Sequence, residues 1–299
     1  MKKLYGVITA MLTPFDDNGA VDVEAIKKMT EFYISKGVHC LYPCGTTGEM
    51  YLLSEDERKT VAETVIRQAA NRATVFIHTG AMTLRETIAL TQHAQRTGAD
   101  GVGVVTPSYF GITEREMEEY FVAVANSVPA DFPVYLYNIP QLSGNDLKPA
   151  TIEKIVKRCP NVCGIKYSYA DMLRVNEYLR VNNGSFSVVV GADRLFLPAL
   201  AMGCDGLVSG VSSVCPEPFV SLYNAWTAGD QETAKKLYPI GADVSNTLCN
   251  GANMAIFKAA LSYRGIPAGH MRKPLLDLPE DEKKVYCSNL QKFIDLLGL

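Results

Sequence analysis

Eight short runs of apolar, largely β-branched residues recur along this chain, and amphipathic stretches separate them. The runs span residues 6–12, 39–44, 74–78, 101–106, 133–139, 162–168, 186–191 and 206–211. They are apolar on both parities, the pattern of strands buried on both faces of a parallel sheet. The intervening segments carry helix-start signals. Ser54/Glu57, Thr83/Glu86 and Thr113/Glu116 stand at capping-box spacing, where hydroxyl and carboxylate satisfy the first free N–H groups. Pro149 opens a further helix, while Gly37 and Gly98 suit left-handed caps. From Val23, the residues Ile26, Met29 and Tyr33 share one helical face. Eight strand–helix units predict an α/β fold of the (β/α)8 TIM-barrel type.

The eighth run ends far from the C-terminus. The expected division is therefore a barrel over residues 1–228 and a C-terminal helical extension over 229–299, with helices near 231–246, 253–263 and 280–297. An open doubly wound sheet is the alternative. Its nucleotide fingerprint is missing: Gly101-Val102-Gly103 lacks the third glycine and falls inside a run instead of after one.

Charge narrows the function classes. With 29 Lys and Arg against 32 Asp and Glu, the net charge of −3 leaves no electrostatic footprint for nucleic acid. Asp193, Asp205 and Glu217 break the later apolar stretches well short of the roughly 18 residues of a membrane helix. Neither a nucleic acid nor a membrane is expected as partner. Met1-Lys2-Lys3 and the apolar residues after it resemble a short signal peptide, but Thr13-Pro14-Phe15-Asp16 stands where a small-residue cleavage site belongs. The stretch reads as a first strand. The eight cysteines form no CxxC pair and neighbour no histidine motif, which predicts free thiols, no metal site and a cytoplasmic location. His39, His78, His93 and His270 form no ligand cluster and are given no role.

A barrel of this kind builds its site at the C-terminal strand ends. Lys166 lies in the otherwise uncharged run Val162-Cys163-Gly164-Ile165-Lys166-Tyr167-Ser168. Lost hydration there favours the neutral, nucleophilic amine, which can form a Schiff base with a carbonyl substrate. A lysine emerging into water at a strand end is the plainer reading. Tyr137, on the preceding strand, would bring a phenol near that amine for proton shuttling; a packing tyrosine is its alternative. Gly45-Thr46-Thr47-Gly48-Glu49 follows the second strand, where glycines, N–H groups and hydroxyls suit a carboxylate, or simply a tight turn.

Gly45-Thr46-Thr47-Gly48-Glu49, Tyr137-Asn138-Ile139-Pro140 and Gly164-Ile165-Lys166 together resemble the signatures of the dihydrodipicolinate synthase and N-acetylneuraminate lyase superfamily. The likeness runs from Gly6 to the C-terminal helices. It implies a (β/α)8 barrel with a helical extension, and class I chemistry on pyruvate or a 2-oxo acid with neither metal nor other cofactor. Lys166 would be the Schiff-base lysine and Tyr137 the proton shuttle. Thr46 and Thr47 would hold the pyruvoyl carboxylate beside Gly45, with Thr47 also in the hydroxyl relay. Tyr109 matches a tyrosine lent by a neighbouring subunit, and Val208 a position whose carbonyl faces the substrate. A homotetramer, assembled as a dimer of dimers, is implied.

Departures narrow the branch. Dihydrodipicolinate synthases carry an arginine where this chain has Leu142, which removes their carboxylate grip. Pro140-Gln141-Leu142-Ser143-Gly144 and Ser168 look closer to the sialic acid lyases and 2-keto-3-deoxy sugar acid aldolases. Gly191 and Asp193 match the polyol-binding stretch of the former, but Arg194 replaces their glutamate and Gly210 their serine. The leading expectation is a C–C lyase of 2-keto-3-deoxy sugar acids, releasing pyruvate and an aldehyde. Sialic acid lyase and 4-hydroxy-tetrahydrodipicolinate synthase share the mechanism. A binding barrel without turnover, and a phosphate-handling barrel using 191–193 and 209–213, complete the alternatives.

Overall fold

The structure, a computed structural model, describes residues 1–251 and 253–297. Each of the eight apolar runs contains a strand. They are β1 (Gly6–Ala10), β2 (Cys40–Tyr42), β3 (Thr74–His78), β4 (Gly101–Val105), β5 (Val134–Asn138), β6 (Val162–Tyr167), β7 (Ser187–Val190) and β8 (Gly206–Ser209). Neighbours in sequence pair in parallel, and β8 returns to β1 with Gly6 opposite Gly206, closing the barrel. Closure rules out the doubly wound sheet.

Strand parity explains the two-sided apolar pattern. Ile8, Cys40, Tyr42, Phe76, Tyr135, Val189 and Val208 fill the barrel lumen with Leu4. Val7, Leu41, Val75, Val102, Leu136, Ile165, Val188 and Leu207 face outward into the layer shared with the helices. The strands end earlier than the runs where local chemistry intervenes. β2 stops at Tyr42 because Pro43 has no N–H to donate, and Cys44 turns into left-handed backbone with φ 62°.

The helix starts follow their caps. Ser54 and Thr113 form complete capping boxes with Glu57 and Glu116. The Thr83 box is half formed: its hydroxyl accepts from the Glu86 N–H, but the Glu86 carboxylate takes Thr83's own hydroxyl instead of its backbone N–H. Gly37 and Gly98 adopt φ of +74° and +87° past their helix ends. After β8 come helices Glu217–Thr227, Gln231–Thr247, Met254–Tyr263 and Glu280–Leu297. Arg264 forks onto Glu217 at 2.7 and 3.1 Å, tying the later helices to the barrel wall. Among the described residues no helix is long and apolar enough to cross a membrane, and the eight cysteines are unpaired.

Candidate active site

At the C-terminal ends of the strands lies a cavity of about 360 Å³. Its wall brings together Thr46, Thr47, Tyr137, Leu142, Lys166, Ser168, Gly191, Asp193 and Val208, all expected at the site from sequence. Gln141 and Gly210, noted in the sequence only for branch assignment, also line it, as do Asn250, Met254 and Phe257 from the C-terminal segment, which were not anticipated there.

Lys166 owes its place to strand register: it stands opposite Tyr137 in the β5–β6 ladder. It is 5% exposed. Its Nζ sits 3.9 Å from the Tyr137 ring centroid and 5.0 Å from that of Tyr42, and has no ion-pair partner among the described residues. The side chain is therefore held against aromatic faces, with no counter-ion between its end and a carbonyl in the cavity. The Tyr137 hydroxyl lies 3.4 Å from Thr46 Oγ1, long for a hydroxyl pair and close enough to tighten around substrate.

That contact corrects one expectation. The hydroxyl beside Tyr137 is that of Thr46, where the expected relay ran through Thr47. Successive loop residues point to different walls, and Thr47 faces β8 instead, where a Cβ at Gly210 would stand 3.3 Å from Thr47 Oγ1. Gly45 is corrected too. It is not in the cavity wall; its carbonyl accepts the N–H groups of Gly48 and Met50 and so shapes the turn from behind. Gly48 is packed closely for a reason other than ligand approach: a Cβ there would crowd Met11 O at 3.0 Å and Thr13 Oγ1 at 3.2 Å. Gly191 leaves room for Ser168, whose Oγ would fall 1.9 Å from an added Cβ.

Asp193 stands on the wall beyond β7 and accepts a hydrogen bond from Ser209 Oγ. Burial pushes its carboxyl up to about 6, against the opposing pull of the Ser209 hydroxyl and the Lys166 charge. Arg194 lies outside the main cavity, in an adjoining pocket of about 540 Å³. That pocket shares Gln141, Ser168, Gly191, Asp193 and Asn250 with the first and adds Tyr169 and Ser245. It is an antechamber to the lysine, with several polar side chains set in its wall.

Beneath the site lie two groups that sequence reading passed over. His78 is fully buried, edge-on to Tyr137 with centroids 5.9 Å apart. Burial and the charges of Arg58 and Lys166 hold the imidazole well below its usual range, so it is neutral. Arg58, on helix Glu55–Ala69, donates to the carbonyls of Gly80 and His78 at 2.8 Å each. No local pattern marks either one, because their meaning arises from contacts between separate strand and helix units.

Tyr109 does not reach the cavity of its own chain. Its side chain is 83% exposed, and its backbone takes φ 77°, a left-handed conformation that costs a bulky residue about 1–3 kcal/mol.

Comparison with known proteins shows the family to which the chain belongs. The model of the dihydrodipicolinate synthetase family matches residues 3–293. A 4-hydroxy-tetrahydrodipicolinate synthase of Syntrophus aciditrophicus is 34% identical over 96% of this chain and 98% of its own. The crystal structure of YagE of Escherichia coli K12, a prophage protein of the dihydrodipicolinic acid synthase family in complex with pyruvate, superposes with a TM-score of 0.92 at 31% identity, covering 98% of this chain and 99% of that one. A sialic acid aldolase of Ruminococcus gnavus, solved as a catalytic lysine mutant, superposes with a TM-score of 0.92 at 26% identity, covering 99% and 98%. The chain is a carbon–carbon lyase and belongs to the dihydrodipicolinate synthetase family.

Proposed function

We propose that this protein is a class I aldolase that cleaves, or forms, 2-keto-3-deoxy sugar acids by way of a Schiff base on Lys166. The observation that carries the reading is the Lys166 amine, enclosed at the cavity floor without a carboxylate partner and beside a tyrosine–threonine hydroxyl pair. Thr46 and Thr47 hold the substrate carboxylate. The amine attacks the 2-oxo carbon, Tyr137 gives its proton to the departing hydroxyl, and water leaves a cationic imine. As the C3–C4 bond breaks, its electron pair moves into the new C2–C3 double bond and neutralises the imine. The C4 hydroxyl proton returns to Tyr137 and the aldehyde forms. Protonation at C3 and hydrolysis then release pyruvate and restore the amine.

The substrate's hydroxylated tail extends into the antechamber, where Asp193, Asn250, Ser245 and Gln141 offer hydrogen bonds and Arg194 favours an anionic end group. Ser168 and Val208 line its path. Condensation of pyruvate with aspartate semialdehyde is the second reading, favoured by the name of the Syntrophus relative. The exposed, apolar Leu142 disfavours it. We also propose a cytoplasmic homotetramer in which a second copy supplies its strained, exposed Tyr109 to the site; a monomeric variant then keeps its fold and loses turnover.

Borohydride reduction with pyruvate, followed by peptide mass spectrometry, tests the chemistry. The expected result is a stable adduct on Lys166. An adduct on another lysine overturns the site, and no adduct overturns the mechanism. Pyruvate release from a panel of 2-keto-3-deoxy acids and sialic acid, set beside condensation with aspartate semialdehyde, then separates the substrates.

A further inference from the structure

Glu49 closes the Gly45-Thr46-Thr47-Gly48-Glu49 loop in left-handed backbone, φ 58° and ψ 38°. A non-glycine residue stays there only where its surroundings over-determine it. The loop is tightly wound: Gly48 and Met50 donate to the Gly45 carbonyl and Glu49 to that of Thr46, all within 3.2 Å. The Glu49 carboxylate is fully enclosed. Its Oε1 lies 2.6 Å from Lys258 Nζ, and its Oε2 accepts the Arg272 backbone N–H at 3.0 Å. Lys258 is itself 2% exposed, donates to the His270 carbonyl, and has the Phe15 ring 4.5 Å away. The Arg272 guanidinium covers the same ring at 4.1 Å, forks onto Glu57, and donates to the Leu52 and Gly19 carbonyls.

Enclosing two charges is a poor way to gain stability, because apolar side chains of the same size commonly do as well or better. What the pair supplies is direction. Lys258 sits on helix Met254–Tyr263, whose Met254 and Phe257 line the catalytic cavity. One stretch of helix thus walls the site and grips the end of the loop. We propose that Glu49 and Lys258 are positioning residues for the 2-oxo acid: their ion pair fixes the backbone that aims Thr46 and Thr47 at the carboxylate. The inference rests on those threonines holding the carboxylate, as proposed above.

Either single substitution strands a buried charge and risks unfolding, so the test uses the double variant Glu49→Gln/Lys258→Met, in which the amide oxygen still accepts from Arg272. Amide exchange of the ligand-free protein is expected to quicken about tenfold or more at residues 48–50, as for a lost hydrogen-bonded constraint, with Val104 and Leu136 unchanged. In borohydride trapping, the half-saturating pyruvate concentration rises by about the same factor, while the fraction labelled at saturation holds. Unchanged exchange at 48–50 overturns the proposal. So does faster exchange with an unchanged half-saturating concentration. Should the wild type take no label, the carboxylate reading fails separately, and exchange alone decides whether the ion pair holds the loop.

Discussion

The two buried lysines of this protein sit at opposite sides of one small loop and live under opposite rules. Lys258, in the joint between barrel and C-terminal helices, has a carboxylate at 2.6 Å and a carbonyl to donate to. Lys166, on the cavity floor, has two aromatic rings and space. A buried lysine locked onto a carboxylate is spent on structure; a buried lysine without a counter-charge stays open to a carbonyl in the cavity. Enclosure alone tells the two apart no better than sequence does, since both are nearly inaccessible. The partner list separates them.

Four substitutions or titrations put this contrast at risk. Lys166→Ala is expected to abolish the pyruvate adduct and lower turnover by roughly 10³–10⁶-fold, the range for removal of a catalytic nucleophile, with the fold retained by circular dichroism. Residual adduct formation breaks the contrast. Lys258→Ala leaves the Glu49 carboxylate uncompensated and is expected to cost about 3–5 kcal/mol of stability in urea unfolding. A loss under about 1 kcal/mol, the range of an exposed pair, would show that the joint is wet. Arg194→Gln sharpens the picture further out. It should raise KM for an acidic sugar substrate about 10–100-fold, the worth of one charged hydrogen bond, and leave the pyruvate dependence of trapping alone. The smallest effect concerns pH. Asp193 has a folded value near 6 against 3.8 for the ordinary carboxyl. Its contribution to stability is therefore full below pH 3.8 and lost as pH rises through 6, since only the folded state keeps the proton in between. KM for the hydroxylated tail should change across pH 5–7 as the carboxylate becomes an acceptor. That dependence should vanish in Asp193→Asn and be absent for pyruvate alone.

How far the sequence carried this picture depended on distance along the chain. The strands were legible because each is its own signal, a short run apolar on both faces. The same holds for Ser54 and Thr113, which cap by neighbours three residues away. Lys166 and Tyr137 were legible because adjacent barrel strands fix their register. Reading failed in two ways. Thr47 was expected beside Tyr137 where Thr46 stands, because a one-residue step in a wound loop redirects a side chain and no local pattern shows it. Arg58, His78, Glu49 and Lys258 stayed silent because each takes its meaning from a contact that only the closed barrel and its extension create. An arginine amid helix Glu55–Ala69 looks like any solvated helix residue until carbonyls of the β3 end appear beneath it.

The bond between the Arg272 N–H and Glu49 spans 223 residues of sequence. At typical synthesis rates of about 5–20 residues per second, roughly 10–45 seconds separate the two partners on the ribosome. During that interval the Glu49 carboxylate has neither the Arg272 N–H nor the Lys258 ammonium to meet it. All eight strands precede Lys258 and Arg272 in the chain, so they can emerge before the loop of residues 45–49 meets its anchors. A chain that stops before Lys258 and Arg272 therefore lacks both contacts that enclose the Glu49 carboxylate.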